Sequence, residues 1–360
     1  MARGSGSIGR RPGWLSLLLD LPAFLLAIFI LYWSSALGAA LGYIRFTKMR
    51  GLRDDTFEWS KFMLHAFAVR IVRLGPVLPY RQSPCMYLCN HRSWADFFVD
   101  TYCTEGRSAL MSRWLVWWVF PVFMSVCRII GGVVLFKRGA VFDKEKFNAW
   151  IDKRLTEVPG HSLLVFPEGH RSISSSSLVL KRGMLHYAHS RKLPVQVVLS
   201  AGKEGVLSET RQCVRFGRTV VVTYADVIKS GDFPNFDDFL ATVQSTWEEK
   251  WRQVHSAPKD GLPALDPVGM SFEYTPTTRW RHVAATLSSY VFMAVVLYAS
   301  WQAAAYALLA MGPLAPVIST ILVVWSAVSL TLAWLPERTP SARHWAAPAT
   351  NGPVASSPVD

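Results

Sequence analysis

Two short stretches hold the residue types from which catalysis could be built: Asn90-His91-Arg92-Ser93-Trp94-Ala95-Asp96 and Phe166-Pro167-Glu168-Gly169-His170-Arg171-Ser172. An unperturbed histidine titrates near neutrality, and Asp96, five residues after His91, can fix its tautomer. Such a pair is suited to taking the proton from a hydroxyl. In the second stretch Glu168 and Gly169 follow an apolar run, and Arg171, with Lys181 and Arg182 beyond it, offers an anion clamp. A guanidinium grips phosphate through two parallel hydrogen bonds, which makes arginine the natural residue there. Lys137 and Arg138 close a third apolar run, Gly131-Gly132-Val133-Val134-Leu135-Phe136.

Each of these residues also has a plain structural reading. Ser93 and Asp96 stand at the S-x-x-D spacing of a capping box, so Asp96 could simply finish a helix N-terminus. A Pro-x-Gly turn is ordinary in itself, and a lone histidine after a strand is more often structural than catalytic. Capping and catalysis are compatible here, because a helix starting at this point would hold Asp96 rigidly near His91.

The elements that must position these residues show in the hydrophobic pattern. Short β-branched and apolar runs predict strands over 86–89, 133–136, 163–166, 195–199 and 219–224. Longer amphipathic stretches predict helices over 57–73, 93–103, 143–156, 181–190 and 237–255. Their alternation marks an α/β domain, and open α/β sheets bind ligands outside the carboxyl ends of their strands. Asn90, Glu168 and Lys137 each follow a predicted strand, so three strand ends bring chemistry to one rim.

Around this domain the chain divides into a basic tail (1–13), a membrane helix (14–44), the catalytic domain (45–266), a proline-marked linker (267–282), a transmembrane helical hairpin (283–335) and a disordered tail (336–360). The first apolar run is longer than a hydrocarbon core requires, which predicts tilt or a bend near Pro22. A cleaved signal peptide would be shorter, so an uncleaved anchor is expected. The hairpin turns at Gly312-Pro313. Arg45, Lys48, Arg50 and Arg53 follow the first span, a bias that places the catalytic domain on the cytosolic side. The run from Trp114 to Met124 is too short for a span, and reads equally as an interfacial segment or a buried core helix.

Composition agrees with a membrane protein that carries a globular part: the chain is 51% hydrophobic, with 15 Trp and 20 Phe gathered into long runs. A net charge of +13 suits nucleic acid, an anionic membrane or a phosphorylated substrate, and the apolar runs favour the last two over nucleic acid. Five scattered cysteines read as reduced structural thiols. His186 and His189 lack further ligands at matching spacing, so no metal is expected. The chain has neither a G-x-S-x-G elbow nor a Walker A loop, which disfavours a serine hydrolase and a nucleotide-driven enzyme.

His91 to Asp96, preceded by Asn90, resembles the H-x4-D motif of the glycerolipid acyltransferases, the family of lysophosphatidic acid acyltransferase. Phe166 to Ser172 resembles the F-P-E-G-T-R-S block of that family, with His170 in place of threonine. Gly132 to Arg138 resembles its second motif, and Leu193-Pro194-Val195-Gln196-Val197-Val198 its fourth, with Val198 where a second proline is frequent. The four stand in family order between Cys85 and Val198.

The resemblance implies a mixed sheet with surrounding helices and acyl transfer from acyl-CoA to the free hydroxyl of a lysophospholipid, without a cofactor. It implies His91 as general base and Asp96 as its orienter. Asn90, Lys137, Arg138, Glu168, Gly169 and Arg171 would bind the acceptor, with the arginines on its phosphate and Glu168 on a hydroxyl or an arginine. Pro194 and Val195 would line the acyl pocket. Lysophosphatidate is the expected acceptor, with another lysophospholipid or glycerol 3-phosphate as the alternative, and the endoplasmic reticulum membrane the expected location. From a different class, a non-catalytic membrane scaffold or transporter would not need these residues together, and the spans lack the buried charges of a transport path.

Overall fold

The computed structural model describes residues 13–46, 55–129, 132–137, 143–156, 158, 160–174, 176–269 and 276–335. The expected tail 336–360, most of the tail 1–13 and Arg138 lie outside the described residues.

A long helix α1 (Trp14–Phe46) and a shorter α2 (Asp55–Ala66) precede strands β1 (Arg70–Leu74) and β2 (Met86–Cys89). Next come α3 (Asp96–Cys103), β3 (Ser108–Arg113), α4 (Val116–Val119), α5 (Pro121–Ile129) and β4 (Val133–Phe136). The domain continues through α6 (Lys144–Leu155), β5 (Ser162–Val165), α7 (Arg182–Ser190) and β6 (Pro194–Ala201). It closes with β7 (Leu207–Ser208), β8 (Cys213–Val214), β9 (Thr219–Tyr224), β10 (Ile228–Lys229) and α8 (Phe236–Ser256), before the hairpin α9 (Pro276–Met311) and α10 (Ala315–Trp334).

The main sheet runs β1-β9-β6-β2-β5-β3-β4, with β10 pairing β6. The five strands from β6 to β4 are mutually parallel, and β9 and β1 run the other way. The sheet is therefore mixed, and the carboxyl ends of β2, β3, β4, β5 and β6 share one rim. Strands such as Met86–Cys89 and Ser162–Val165 are buried along their whole length, as expected of parallel strands covered on both faces. One face packs Tyr87, Cys89, Leu164 and Val198 against α1, α2, α3 and α5. The other packs Leu88, Val165, Val197 and Leu199 against α6, α7 and α8, whose Phe239, Val243, Trp247, Trp251 and Val254 make one apolar stripe.

Beyond the two-residue strands β7, β8 and β10, two longer strands differ from expectation. The helix expected over 57–73 stops at Ala66, Ala68 takes a positive φ of 51°, and residues 70–74 become β1, paired to β9 about 150 residues away. Ser-Ala-Leu-Met-Ser-Arg at 108–113 has no β-branched residue, yet forms β3 between β4 and β5, where tertiary pairing overrides local propensity.

The apolar helices are long enough to cross a bilayer, with mean hydropathy 2.3 over Trp14–Ser34 and 2.2 over Tyr290–Trp334. α1 is more than an anchor beside the domain, because Ala23, Phe24, Ala27 and Leu31 enter the domain core and Asp20 makes a bidentate pair with Arg215 at 2.9 and 3.1 Å. The first half of α1 and the domain therefore share one core. The hairpin joins the same assembly: Ser329 Oγ accepts from Ala23 N–H, a backbone donor beside the helix-interior Pro22, and Trp334 stacks on Phe216. α9 begins at Pro276, so Arg279 and Arg281 belong to the helix and the expected linker is shorter. The segment at 114–124 divides: Trp114, Leu115, Trp117, Trp118 and Val119 are exposed, whereas Phe120, Val122, Phe123 and Met124 are buried. All five cysteines are buried thiols.

Candidate active site

The chain leaves β2 at Cys89 and reaches His91 two residues later, on the shared rim. His91 Nδ1 lies 2.6 Å from Asp96 Oδ2. That same oxygen accepts the backbone N–H groups of Arg92 at 2.7 Å and Ser93 at 3.1 Å. Capping and orienting are thus both present in one atom: Asp96 reaches back to Ser93 N–H as a capping-box acid does, while holding the ring. A carboxylate only accepts, so Nδ1 carries the proton and Nε2 keeps its lone pair. The ring is fixed from one face by Phe166, with centroids 4.2 Å apart and planes at 15°, and the side chain is 23% exposed at the rim. Burial pulls the imidazole below its ordinary pKa, against the hydrogen bond and charge of Asp96, which leaves a neutral base at physiological pH.

Glu168 follows β5, and its Oε2 accepts His91 N–H at 2.7 Å, while Oε1 has no protein partner. It braces the backbone of the base, and no hydrogen bond from an arginine reaches it among the described residues. Gly169 takes φ +76°, a left-handed conformation that favours glycine, and its N–H closes the turn on Phe166 O at 3.1 Å. The turn leads to Arg171, whose Nη1 meets Glu209 Oε1 at 2.9 Å.

The other residues singled out in the sequence have their own surroundings. Asn90, expected at the acceptor, is buried and exchanges two hydrogen bonds with the Ser200 backbone at 2.8 and 3.0 Å, so its amide ties β2 to β6. Lys137 is described and exposed after β4. Pro194 and Val195, expected at the acyl pocket, open β6, and Val195 pairs with Met86 at the strands' amino ends. At about 3.3 Å per residue, Val195 sits roughly 10 Å along the strands from the level of Cys89. The fully buried Val195 belongs to the core under α6, α7 and α8. His186 stacks on Phe236, and His189 bonds Phe233 O.

Lys203, Asp100, Arg92, Glu204 and Glu209, to which the sequence alone assigns no role, complete the floor of the site. Lys203, fully buried, donates to Asn90 O at 2.6 Å and to both Asp100 oxygens at 2.8 and 2.7 Å, and stands 3.2 Å from Asp96 Oδ1. The last contact misses hydrogen-bond geometry and is coulombic. Burial, together with the Asp96 charge, pushes Asp100 up to about 7 against the attraction of Lys203. Burial also works to raise Asp96, but Lys203 and the His91 hydrogen bond hold it below the usual carboxylate range. Buried Arg92 donates to Ser174 O at 2.8 Å and, with Glu204 Oε1 3.5 Å away, overcomes burial to keep Glu204 ionised. Glu209, which burial raises against the pull of Arg171, also accepts Trp94 N–H.

Burial pushes Glu168 up to about 7, above the ordinary range near 4.5. A carboxyl whose proton affinity rises on folding subtracts stability as pH climbs from its unfolded to its folded value. Glu168→Gln should therefore gain in thermal midpoint relative to the native chain between about pH 4.5 and 7. Unfolding in detergent followed across that range checks this, and a pH-independent difference would count against it.

Residues 73–200 match the family model described as Acyltransferase. A curated 1-acyl-sn-glycerol-3-phosphate acyltransferase of Cocos nucifera is 24% identical over 160 residues, which cover 43% of this chain and 49% of that protein. The chain thus spans about half the length of that curated relative. The crystal structure of the 1-acyl-sn-glycerophosphate (LPA) acyltransferase PlsC from Thermotoga maritima shares the fold, with a TM-score of 0.50 at 18% identity, over 68% of this chain and 97% of that one. The matched segment begins within β1, ends within β6 and contains both the His91–Asp96 pair and the Glu168–Arg171 turn, so the likeness to acyltransferases falls on the part of the chain that carries the candidate site.

Proposed function

We propose that this chain transfers an acyl group from acyl-CoA to the free hydroxyl of lysophosphatidate, giving phosphatidate at a membrane surface. The observation that carries the reading is the oriented base: His91 Nδ1 pinned by Asp96 at 2.6 Å, with Nε2 left to act at the rim. Nε2 takes the hydroxyl proton as the acceptor oxygen bonds to the thioester carbonyl carbon. The resulting tetrahedral oxyanion collapses, its C–S bond breaks, and coenzyme A leaves as a thiol with the proton returned from Nε2. The residues that hold the ring need no acyl-enzyme and no cofactor for this sequence.

Arg171 supplies the anion grip. Its guanidinium is 35% exposed and partnered by one carboxylate, so an acceptor phosphate entering the rim meets a cation already aimed by Glu209. Hydrogen bonds to charged groups contribute about 1.5–3 kcal/mol, so Arg171→Ala should raise KM for lysophosphatidate about 10- to 100-fold with a smaller change in kcat. Initial rates at varied acceptor concentration check this, and an unchanged KM would remove Arg171 from the phosphate site.

The membrane assignment rests on α1, the hairpin and the exposed Trp114, Trp117 and Trp118, since indole rings favour the headgroup level. The reading places the chain in the endoplasmic reticulum membrane, with the catalytic domain on the cytosolic face. Acceptor choice is tested with vesicles holding the native chain, radiolabelled acyl-CoA and a panel of lysophosphatidate, lysophosphatidylcholine, lysophosphatidylinositol, lysophosphatidylethanolamine and glycerol 3-phosphate. Labelled phosphatidate as the main product is expected. Labelling of phosphatidylcholine alone would overturn the acceptor, and no product from any acceptor would overturn the activity.

A further inference from the structure

We propose that Lys203 is a positioning residue for the base, its buried ammonium holding Asp96 as the carboxylate that fixes His91 and keeping His91 unprotonated. The inference rests on the acyl-transfer reading of the same site. It starts from an anomaly: a lysine with no exposed surface, just past the end of β6, buried against Asp96, Asp100 and the Asn90 carbonyl. Burying an ammonium costs several kcal/mol unless its donors are matched. Here all three are used, on Asn90 O and the two Asp100 oxygens, with Asp96 Oδ1 close by. Gly202 makes the placement possible, because its φ of +99° turns the chain at the rim and sends Lys203 back beneath it.

Asp96 and Asp100 lie one turn apart on α3, both buried, so without a cation between them the two carboxylates repel. One would then hold a proton, or His91 would take one. Three donors converge on Asp96 Oδ2, which favours its charged form, so the proton sought by the unbalanced pocket goes to Asp100 or to His91. An imidazolium at His91 is a base already spent. The charged groups facing His91 are Asp96, Glu168, Arg171 and Lys203; those facing Lys203 are Asp96, Asp100, Glu168, His91 and, from α8, His255, with the Cys89 and Cys103 thiols and the Phe166 ring beside it. Of the two cations near the base, Lys203 alone is sealed from solvent, so its field is the less screened by salt.

The test pairs two variants of the full chain with opposite expected signs. Lys203→Met with Asp100→Asn removes one positive and one negative charge together, so the buried floor keeps its net charge and thermal unfolding reports whether the variant folds. Its His91 ring should titrate about one pH unit higher by NMR of labelled histidine, with the acid limb of kcat/KM moving the same way. At neutral pH kcat should fall by up to about 10-fold, the largest loss of unprotonated His91 that a one-unit shift can cause, with KM unchanged for both substrates. Asp100→Asn alone keeps Lys203 with less compensation and should move the His91 titration downward. A His91 titration that is the same in native chain and both variants would overturn the proposal, and so would a folded double variant with native kcat and acid limb. The NMR titration needs no substrate, so a native chain that transfers no acyl group would refute the proposed activity while leaving the Lys203 inference to be decided separately.

Discussion

Asp96→Asn should lower kcat about 1,000-fold and destabilise the fold by about 3 kcal/mol, with little change in KM. Three donors meet at Oδ2, namely His91 Nδ1 and the backbone amides of Arg92 and Ser93, so the asparagine oxygen stays there and the new amide nitrogen turns toward Lys203. A negative charge 3.2 Å from a buried ammonium is thereby replaced by a second donor. Breaking one partner of a buried pair is costly because the other charge is left poorly compensated; here Asp100 remains, which sets the figure at the low end. The catalytic loss has a separate origin. His91 becomes cationic as it accepts the hydroxyl proton, and the carboxylate that stabilises that imidazolium is gone. Stopped assays and thermal unfolding of the same preparation separate the two effects. A variant that loses stability but retains native kcat would reduce Asp96 to a capping residue.

His91→Ala should lower kcat about 1,000- to 10,000-fold, with the unfolding midpoint close to native, because the side chain sits at the rim and its backbone bond to Glu168 is kept. The residual rate has a physical source. Holding the acceptor hydroxyl beside the thioester can contribute about 7–11 kcal/mol, whereas proton transfer contributes about 3–5 kcal/mol, so positioning survives loss of the base. Asp96 acts through His91, so adding Asp96→Asn to His91→Ala should cost little further activity. Multiplicative losses in the double variant would mean that Asp96 touches the reaction on its own account.

The parts of this site that could be read from the sequence are those made by neighbours in the chain. His91 and Asp96 are five residues apart, and the loop from β2 to α3 brings them together without help from elsewhere. The buried strands β2, β4 and β9 coincide with apolar runs and take the predicted bounds. β1 and β3 do not, since their pairing partners, and not their own residues, make them strands. Lys203 escaped notice for the same reason: its partner Asp100 is 103 residues away, and nothing in Gly-Lys-Glu-Gly announces a buried ammonium. Two signals were available. Asp100 repeats Asp96 one helical turn later, and Gly202 ends an apolar strand as Asn90 does on the same rim.

The central claim, that His91 is the base of an acyl transfer, is tested most directly by one assay of native chain and His91→Ala at equal amount in vesicles, with radiolabelled acyl-CoA and lysophosphatidate. Labelled phosphatidate is expected from the native chain, and a rate at least about 1,000-fold lower from the variant, with both proteins folded. Equal labelling by the two would contradict it.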